Sequence, residues 1–456
     1  MSCDGNNATP PSPGIAPGAE HIDPAAVARE LGLKGPDPRI TALVPGFDAP
    51  FFQAGLAGYS DAAMRIIARR HGCPFCVTEA LLDRTLLGGG RGFLKADLGD
   101  LHENVPGGPE DHPLACQIMG SDPHEMAAAA LKVAEQGTRP PKDYRALAYA
   151  HRSPAELAEL IAAPAHAMDP TEGLGDDTCE TLIDEVDEVS RCHGVEVSRS
   201  HNGLSSTPGH LDTSPLSFET IDINLACPVK KIKAKARGGH WLAQPEGAID
   251  ILGAVREAVP AHIRCTVKLR RSFDDTPQMA ANLERILDAA FDMDYAWATI
   301  HARTVQQKYI GPSRWDLLRS IVHRRPGRLI FGSGDIWNVH DIFRMIAYTG
   351  VSAVAVARGC IGNPWIFRQA RQMLAGRPPL PPTIAEQRAV LEDHFRLSVT
   401  INGEDRAGKT MRKFGIRFAS HHPRAEDVRR RFIAVASVED WLAVLDEHYE
   451  RCDSPA

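Results

Sequence analysis

The chain has 456 residues with a formal net charge of −7, and 43% of them are hydrophobic and 24% charged. This ordinary globular composition contains no apolar run near the ~20 residues of a membrane span and no leader-like pattern in MSCDGNNATPPSPG. The ten cysteines show no paired spacing, which argues against a disulfide scaffold and makes a reducing, cytoplasmic setting the default expectation.

In chain order, residues 1–45 are rich in Pro, Gly and Asn and read as a disordered tail with a short helix near Pro24–Leu33. Between 46 and 377, apolar runs at 51–56, 75–79, 114–119, 220–225, 264–269, 296–301, 328–332 and 352–356 read as strands. They alternate with amphipathic stretches at 123–136, 246–258, 278–290, 314–323 and 339–348 that read as helices. Eight strands alternating with helices predict a parallel α/β sheet closed into a (β/α)8 TIM barrel.

One long insertion, 138–217, interrupts the rhythm before the fourth strand. It carries fourteen acids against six bases and helix-like stretches at Ser153–Ala163 and Asp177–Val189. Because it follows a helix and precedes a strand, it is expected at the N-terminal face of the barrel. Its Cys179, Cys192, His193, His201 and His210 match no zinc-ligand spacing, so no metal is expected. Beyond the linker Pro378–Pro382, the pattern at 384–401, 405–419, 425–432 and 437–449 is wholly helical, and 383–450 reads as a separate all-helical domain. Residues 406–432 of that domain hold nine bases against Glu426 and Asp427. Such a face can bind phosphates whatever the total charge, although a merely solvated helix face has the same pattern.

Barrel chemistry sits where strands end. Those ends offer the small-residue turn Gly55-Leu56-Ala57, the amide of Gln117, Lys268 with Arg270, His301 with Arg303, the turn Ser333-Gly334-Asp335, and Arg358-Gly359. Two glycine turns after the final strands form a phosphate cradle. A lysine, a histidine and a glutamine on one rim can bond the polar edge of an isoalloxazine ring. The fourth strand runs through Ile221, Ile223 and Asn224 into Cys227-Pro228, and then Lys230, Lys231, Lys233 and Lys235 follow. A thiol at a strand end beside dense positive charge suits a reactive cysteine meeting a polyanion, while a core cysteine beside a solvated lysine face would look alike.

Together these segments resemble the tRNA-dihydrouridine synthase family, of bacterial type. The resemblance is carried by Ala54–Asp61 with Arg65, Val77-Thr-Glu79, Cys116–Pro123, Asp222–Lys231, Thr266–Arg270, His301–Trp315, Gly332–Asp335 and Arg358–Phe367. It implies an FMN-bearing barrel, recharged by NADPH or NADH, with cofactor contacts at Gly55, Leu56, Ala57, Gln117, Lys268, His301, Ser333, Gly334, Asp335, Arg358 and Gly359. It further implies Cys227 as catalytic acid and tRNA as partner. Substrate contacts are expected at Asn224, Lys230, Lys231, Arg270 and Arg303, and on the helical domain at Arg412, Lys413, Arg429 and Arg430. A monomer with no membrane partner is expected. The family's usual Asn-Met-Gly-Cys-Pro reads Asn224-Leu-Ala-Cys-Pro228 here, and Ser333 stands where asparagine is usual. A small-molecule FMN oxidoreductase and a non-catalytic RNA-binding relative are the competing readings; neither explains the basic helical domain and the retained Cys227, Lys268 and His301 together.

Overall fold

The computed structural model describes residues 16–87, 108–153, 156, 218–228 and 238–449. Its strands are β1 (Phe51–Gln53), β2 (Cys76–Val77), β3 (Leu81–Leu82), β4 (Leu114–Met119), β5 (Thr220–Leu225), β6 (Arg264–Ser272), β7 (Ala298–Thr304), β8 (Ile330–Ser333) and β9 (Ala353–Val356). All pairings are parallel, and the order β2-β1-β9-β8-β7-β6-β5-β4 is closed by β2 on β4, where Cys76 faces Leu114. Eight strands therefore form a closed ring, and β3 lies outside it, paired to the end of β4 at Leu81–Ile118. Closure leaves none of the eight ring strands with an open edge.

Helices cover the ring because their apolar faces have only the barrel to bury against. Pro123–Ala134, Pro245–Ala258, Pro277–Asp292, Trp315–His323 and Val339–Thr349 all follow strands, and most carry polar N-caps, such as Asp122, Thr276 and Asn338. Two differences from the sequence reading have physical causes. Residues 16–45 are not simply a tail: helix Pro24–Lys34 packs on the outer helices, and Pro38–Leu43 delivers Ile40, Val44 and Phe47 to the barrel's N-terminal end. There Phe47 stacks on Phe75 at 4.8 Å and Trp297 on Phe331 at 5.0 Å, plugging the lumen. Strand β6 also runs past 269 to Ser272, with a register shift between Arg270 and Ser272 that re-aims the rim. Of the insertion, residues 138–153 and 156 are described, and its helix Pro141–Tyr149 packs on Pro123–Ala134; nearly all of the helix expected at 153–163, and all of that at 177–189, lies outside the described residues.

The C-terminal helices are Ile384–Asn402, Glu404–Phe418, Ala425–Ile433 and Val438–His448. Capping boxes at Thr383/Glu386 and Ser437/Asp440 start two of them, and Trp441 packs between Phe395 and Phe432 at their core. This unit docks on the barrel through helix Ala62–Arg70, where Arg70 pairs with Asp393. It also docks through Gly362, whose missing side chain would lie 2.6 Å from Arg417 Cβ. Among the described residues, no helix is long and apolar enough to cross a membrane.

Candidate active site

A cleft of about 1170 Å³, counted out to its open mouth, lies over the C-terminal ends of the strands. The ends of β1, β4, β5, β6, β7, β8 and β9 contribute Gly55 to Ala57, Gln117, Asn224, Lys268 with Arg270, His301, Ser333 to Asp335, and Arg358. Cys227 and Pro228, just past β5, complete the wall. Gly359 does not line the cleft; a Cβ there would lie 2.2 Å from Ile336 O, so glycine lets the two final turns touch.

The floor is a chain of hydrogen bonds. Thr266 Oγ1 and Gln117 Nε2 donate to the two oxygens of the buried Asp222, each at 2.7 Å. Asn224 Nδ2 donates to Gln117 Oε1 at 2.8 Å, and Ala226 N donates to Asn224 Oδ1 at 2.9 Å. The loop carrying Cys227 is pinned beyond that point: Arg270 Nε donates to Ala226 O at 2.9 Å, and Gly239 N donates to Cys227 O at 2.8 Å. A Cβ on Gly238, which has φ +55°, would lie 2.9 Å from Cys227 Cβ, so this packing requires glycine.

The far wall is cationic. Arg303 Nη2 donates to both oxygens of Asp335, at 2.7 and 2.8 Å, and Ser313 N donates to the same carboxylate at 2.7 Å. These bonds hold Asp335 at φ +57° and Gly334 at φ +111°. Arg303 Nη1 also reaches His301 Nε2 at 3.3 Å. A guanidinium only donates, so His301 Nε2 accepts and its hydrogen sits on Nδ1. Burial, followed by the charges of Arg270, Lys268, Arg303 and Arg358, holds the His301 pKa well below the ordinary value, and the ring is neutral. Lys268 is likewise pushed down by burial and by Arg270, with Asp222 and Cys227 opposing. Arg358 lies 4.5 Å from the Trp337 ring centroid and 5.0 Å from that of Tyr309, which Arg270 also faces at 5.4 Å.

Several residues expected to meet substrate sit elsewhere. Arg303 is buried against Asp335 rather than lining the cleft, because that carboxylate, Gly311 O and His301 Nε2 take up its donors. Lys413 turns inward, donating to Gly58 O with its ammonium 5.1 Å from the Tyr59 ring, since the rim loop offers both a carbonyl and an aromatic face. Arg412 and Arg430 are exposed on the helical unit, Arg430 paired with Asp427 at 2.5 Å, and Arg429 is partly buried. Lys230 and Lys231 lie outside the described residues. The lining or supporting residues that the sequence did not single out include Tyr309, Trp337 and Asp222. Asp222 alone had a readable signal, a carboxylate at an inward strand position.

A closed parallel barrel whose strand ends gather one thiol, neutral amides, a neutral histidine and unusually many cations defines a TIM-barrel protein with a built polar site. The family model described as dihydrouridine synthase (Dus) matches residues 213–452, more than half of the chain, and the chain belongs to that family. A probable tRNA-dihydrouridine synthase of Mycobacterium leprae (strain TN) is 30% identical over 229 residues, covering 50% of this chain and 59% of that protein. The tRNA-dihydrouridine synthase B of Salmonella typhimurium is 30% identical over 233 residues, covering 51% of this chain and 71% of that protein. The chain thus spans under two thirds of the length of the mycobacterial relative. The solved histamine dehydrogenase of Rhizobium sp. 4-9 aligns at 11% identity and a TM-score of 0.44, over 82% of this chain and 51% of that one.

Proposed function

We propose that this protein is a tRNA-dihydrouridine synthase, an FMN-dependent enzyme that uses NADPH or NADH to reduce the C5=C6 bond of specific uridines in tRNA. The observation that carries the reading is the Cys227 thiol lining the same cleft as Gln117, Lys268, His301 and Arg358. These residues fit the cofactor. Gln117 and Lys268 suit the polar ring edge, and His301 Nδ1 offers a neutral donor. The turns at Gly55–Ala57 and Ser333–Asp335, with Arg358-Gly359, suit the ring face and phosphate. A Cβ on Gly55 would lie 2.3 Å from Thr78 O, and one on Gly334 would lie 2.4 Å from Ser313 Oγ.

Once reduced by NADPH or NADH, FMN held by these residues would supply the hydride for C6 of the pyrimidine. Cys227 gives its thiol proton to C5, so the two carbons of the bond receive their hydrogens from separate donors. Asn224 meets the pyrimidine edge, and the target base is flipped out of the folded RNA to reach it, while Arg270 holds the Cys227 loop through Ala226 O. Exposed arginines of the helical unit, Arg412 and Arg430 among them, take phosphates, and recognition rests on shape and backbone charge. The test is direct. Purified protein with unmodified tRNA and NADPH should yield dihydrouridine by nucleoside mass spectrometry, and a flavin-loaded protein that forms none on total tRNA would overturn the proposal.

A further inference from the structure

We propose that Asp222 is a positioning residue that sets the hydrogen-bond polarity of the two amide side chains lining the cleft, Gln117 and Asn224. The inference rests on the functional reading above, in that the ligand it prepares for is FMN with its pyrimidine substrate.

The chain Thr266–Asp222–Gln117–Asn224–Ala226 has unlike ends. At one end the Asp222 carboxylate, whose pKa burial raises while the bonds from Thr266 and Gln117 and the charge of Lys268 oppose it, accepts both of its bonds, so Gln117 turns its NH2 group down to it, at 2.7 Å. At the other end a backbone N–H can only donate, so Asn224 must turn its carbonyl to Ala226, at 2.9 Å. The 2.8 Å bond between the two amides then has one permitted sense, Asn224 Nδ2 to Gln117 Oε1. Both ends demand the same sense, which leaves no second arrangement of comparable energy. All three side chains are nearly solvent-free, at 5%, 2% and 7% exposure for Asp222, Gln117 and Asn224, so water cannot substitute for a lost partner.

The consequence reaches the ligand. Each amide keeps one N–H hydrogen beyond these bonds, and both residues line the cleft beside Lys268. The floor therefore donates, and it suits the carbonyl oxygens of a flavin edge or a pyrimidine. The same bonds fix the Ala226 amide one residue before Cys227, so the buried carboxylate also sets where the thiol is held.

The test exchanges charge along the chain, with FMN titrated into the full-length protein and read by fluorescence. Gln117→Glu sets two carboxyls at hydrogen-bond distance, and one must hold a proton for the relay to survive. Its affinity for FMN should fall at least ~10-fold below wild type at pH 8.5 and recover only in part, by ~3-fold or more, at pH 6, because the Gln117 N–H that faces the ligand is lost in either case. Adding Asp222→Asn restores a donor facing the introduced carboxylate, so the double variant should bind FMN equally at both pH values and more tightly than Gln117→Glu does at pH 8.5. As a second arm, Asp222→Leu should lose at least ~10-fold, whereas Asp222→Asn should be rescued, because its carbonyl can face Gln117 while its NH2 faces the Thr266 hydroxyl. A pH-independent, wild-type affinity for Gln117→Glu, or a double variant weaker than the single, overturns the proposal. Wild-type protein that takes up no FMN sinks the functional reading and this inference together; wild-type uptake with variants off this pattern sinks the inference alone.

Discussion

Arg303 and Asp335 form a buried ion pair at the mouth of β8, 3% and 5% exposed, with Arg303 Nη2 on both carboxylate oxygens at 2.7 and 2.8 Å. The pair ties β7 to the turn after β8, and the same guanidinium fixes the His301 tautomer. Arg303→Met strands a buried carboxylate and should cost about 3–5 kcal/mol in denaturant unfolding. Arg303→Lys, which keeps the charge but not the guanidinium's further bonds to Gly311 O and His301, should fall between that variant and wild type. Wild-type stability and FMN affinity in Arg303→Met would remove any role for the pair.

Cys227→Ala should keep FMN bound and continue to oxidise NADPH, while dihydrouridine formation drops by roughly 10²–10⁴-fold, the range for loss of a general acid. Product at the wild-type rate would show that another group supplies the proton.

Arg412 and Lys413 are neighbours in sequence with opposite destinations. Arg412→Ala removes an exposed charge and should weaken tRNA binding, flattening the slope of log affinity against log salt by about 0.7–1. Lys413→Ala should leave that slope unchanged and weaken FMN binding instead, because it frees the Gly58–Tyr59 loop. Equal salt slopes for both variants would contradict the inward placement of Lys413.

His394 lies buried between helices, its ring 4.5 Å from Phe414, and burial pushes its pKa down to about 3. Between about 6.5 and 3 the unfolded chain binds a proton that the folded chain does not, so this group's stability contribution is complete above pH 6.5 and is lost as pH falls. From pH 7 to pH 5 the loss from this residue should be about 2 kcal/mol. His394→Phe should remove that share of the pH dependence, as read by denaturant melts at the two pH values; parallel pH slopes for the two proteins would contradict it.

Much of the scaffold was legible because it depends on local periodicity. β5 and helix Ile384–Asn402 fall where alternation and three-to-four spacing put them, and eight inward-reading strands dictate a closed ring. What escaped had no local signal. β3 is two residues long. The end of β6 looked too charged for a strand until Arg270 was seen to spend its donors on the carbonyls of Ala226, Thr304 and Lys308. Pro38–Val44 looked like tail because its apolar residues find their partners only inside the barrel.

Residue order alone determined the barrel, the helical unit and the set of strand-end side chains, since strand and helix periods and turn chemistry act over a few neighbours. Only the tertiary structure decided which cations face the cleft and which are consumed by buried carboxylates and carbonyls. It also decided which way the two amides point. Those outcomes depend on partners from 30 to more than 100 residues away, such as Asp335 for Arg303 and Asp222 for Gln117, brought within 3 Å by closure of the sheet.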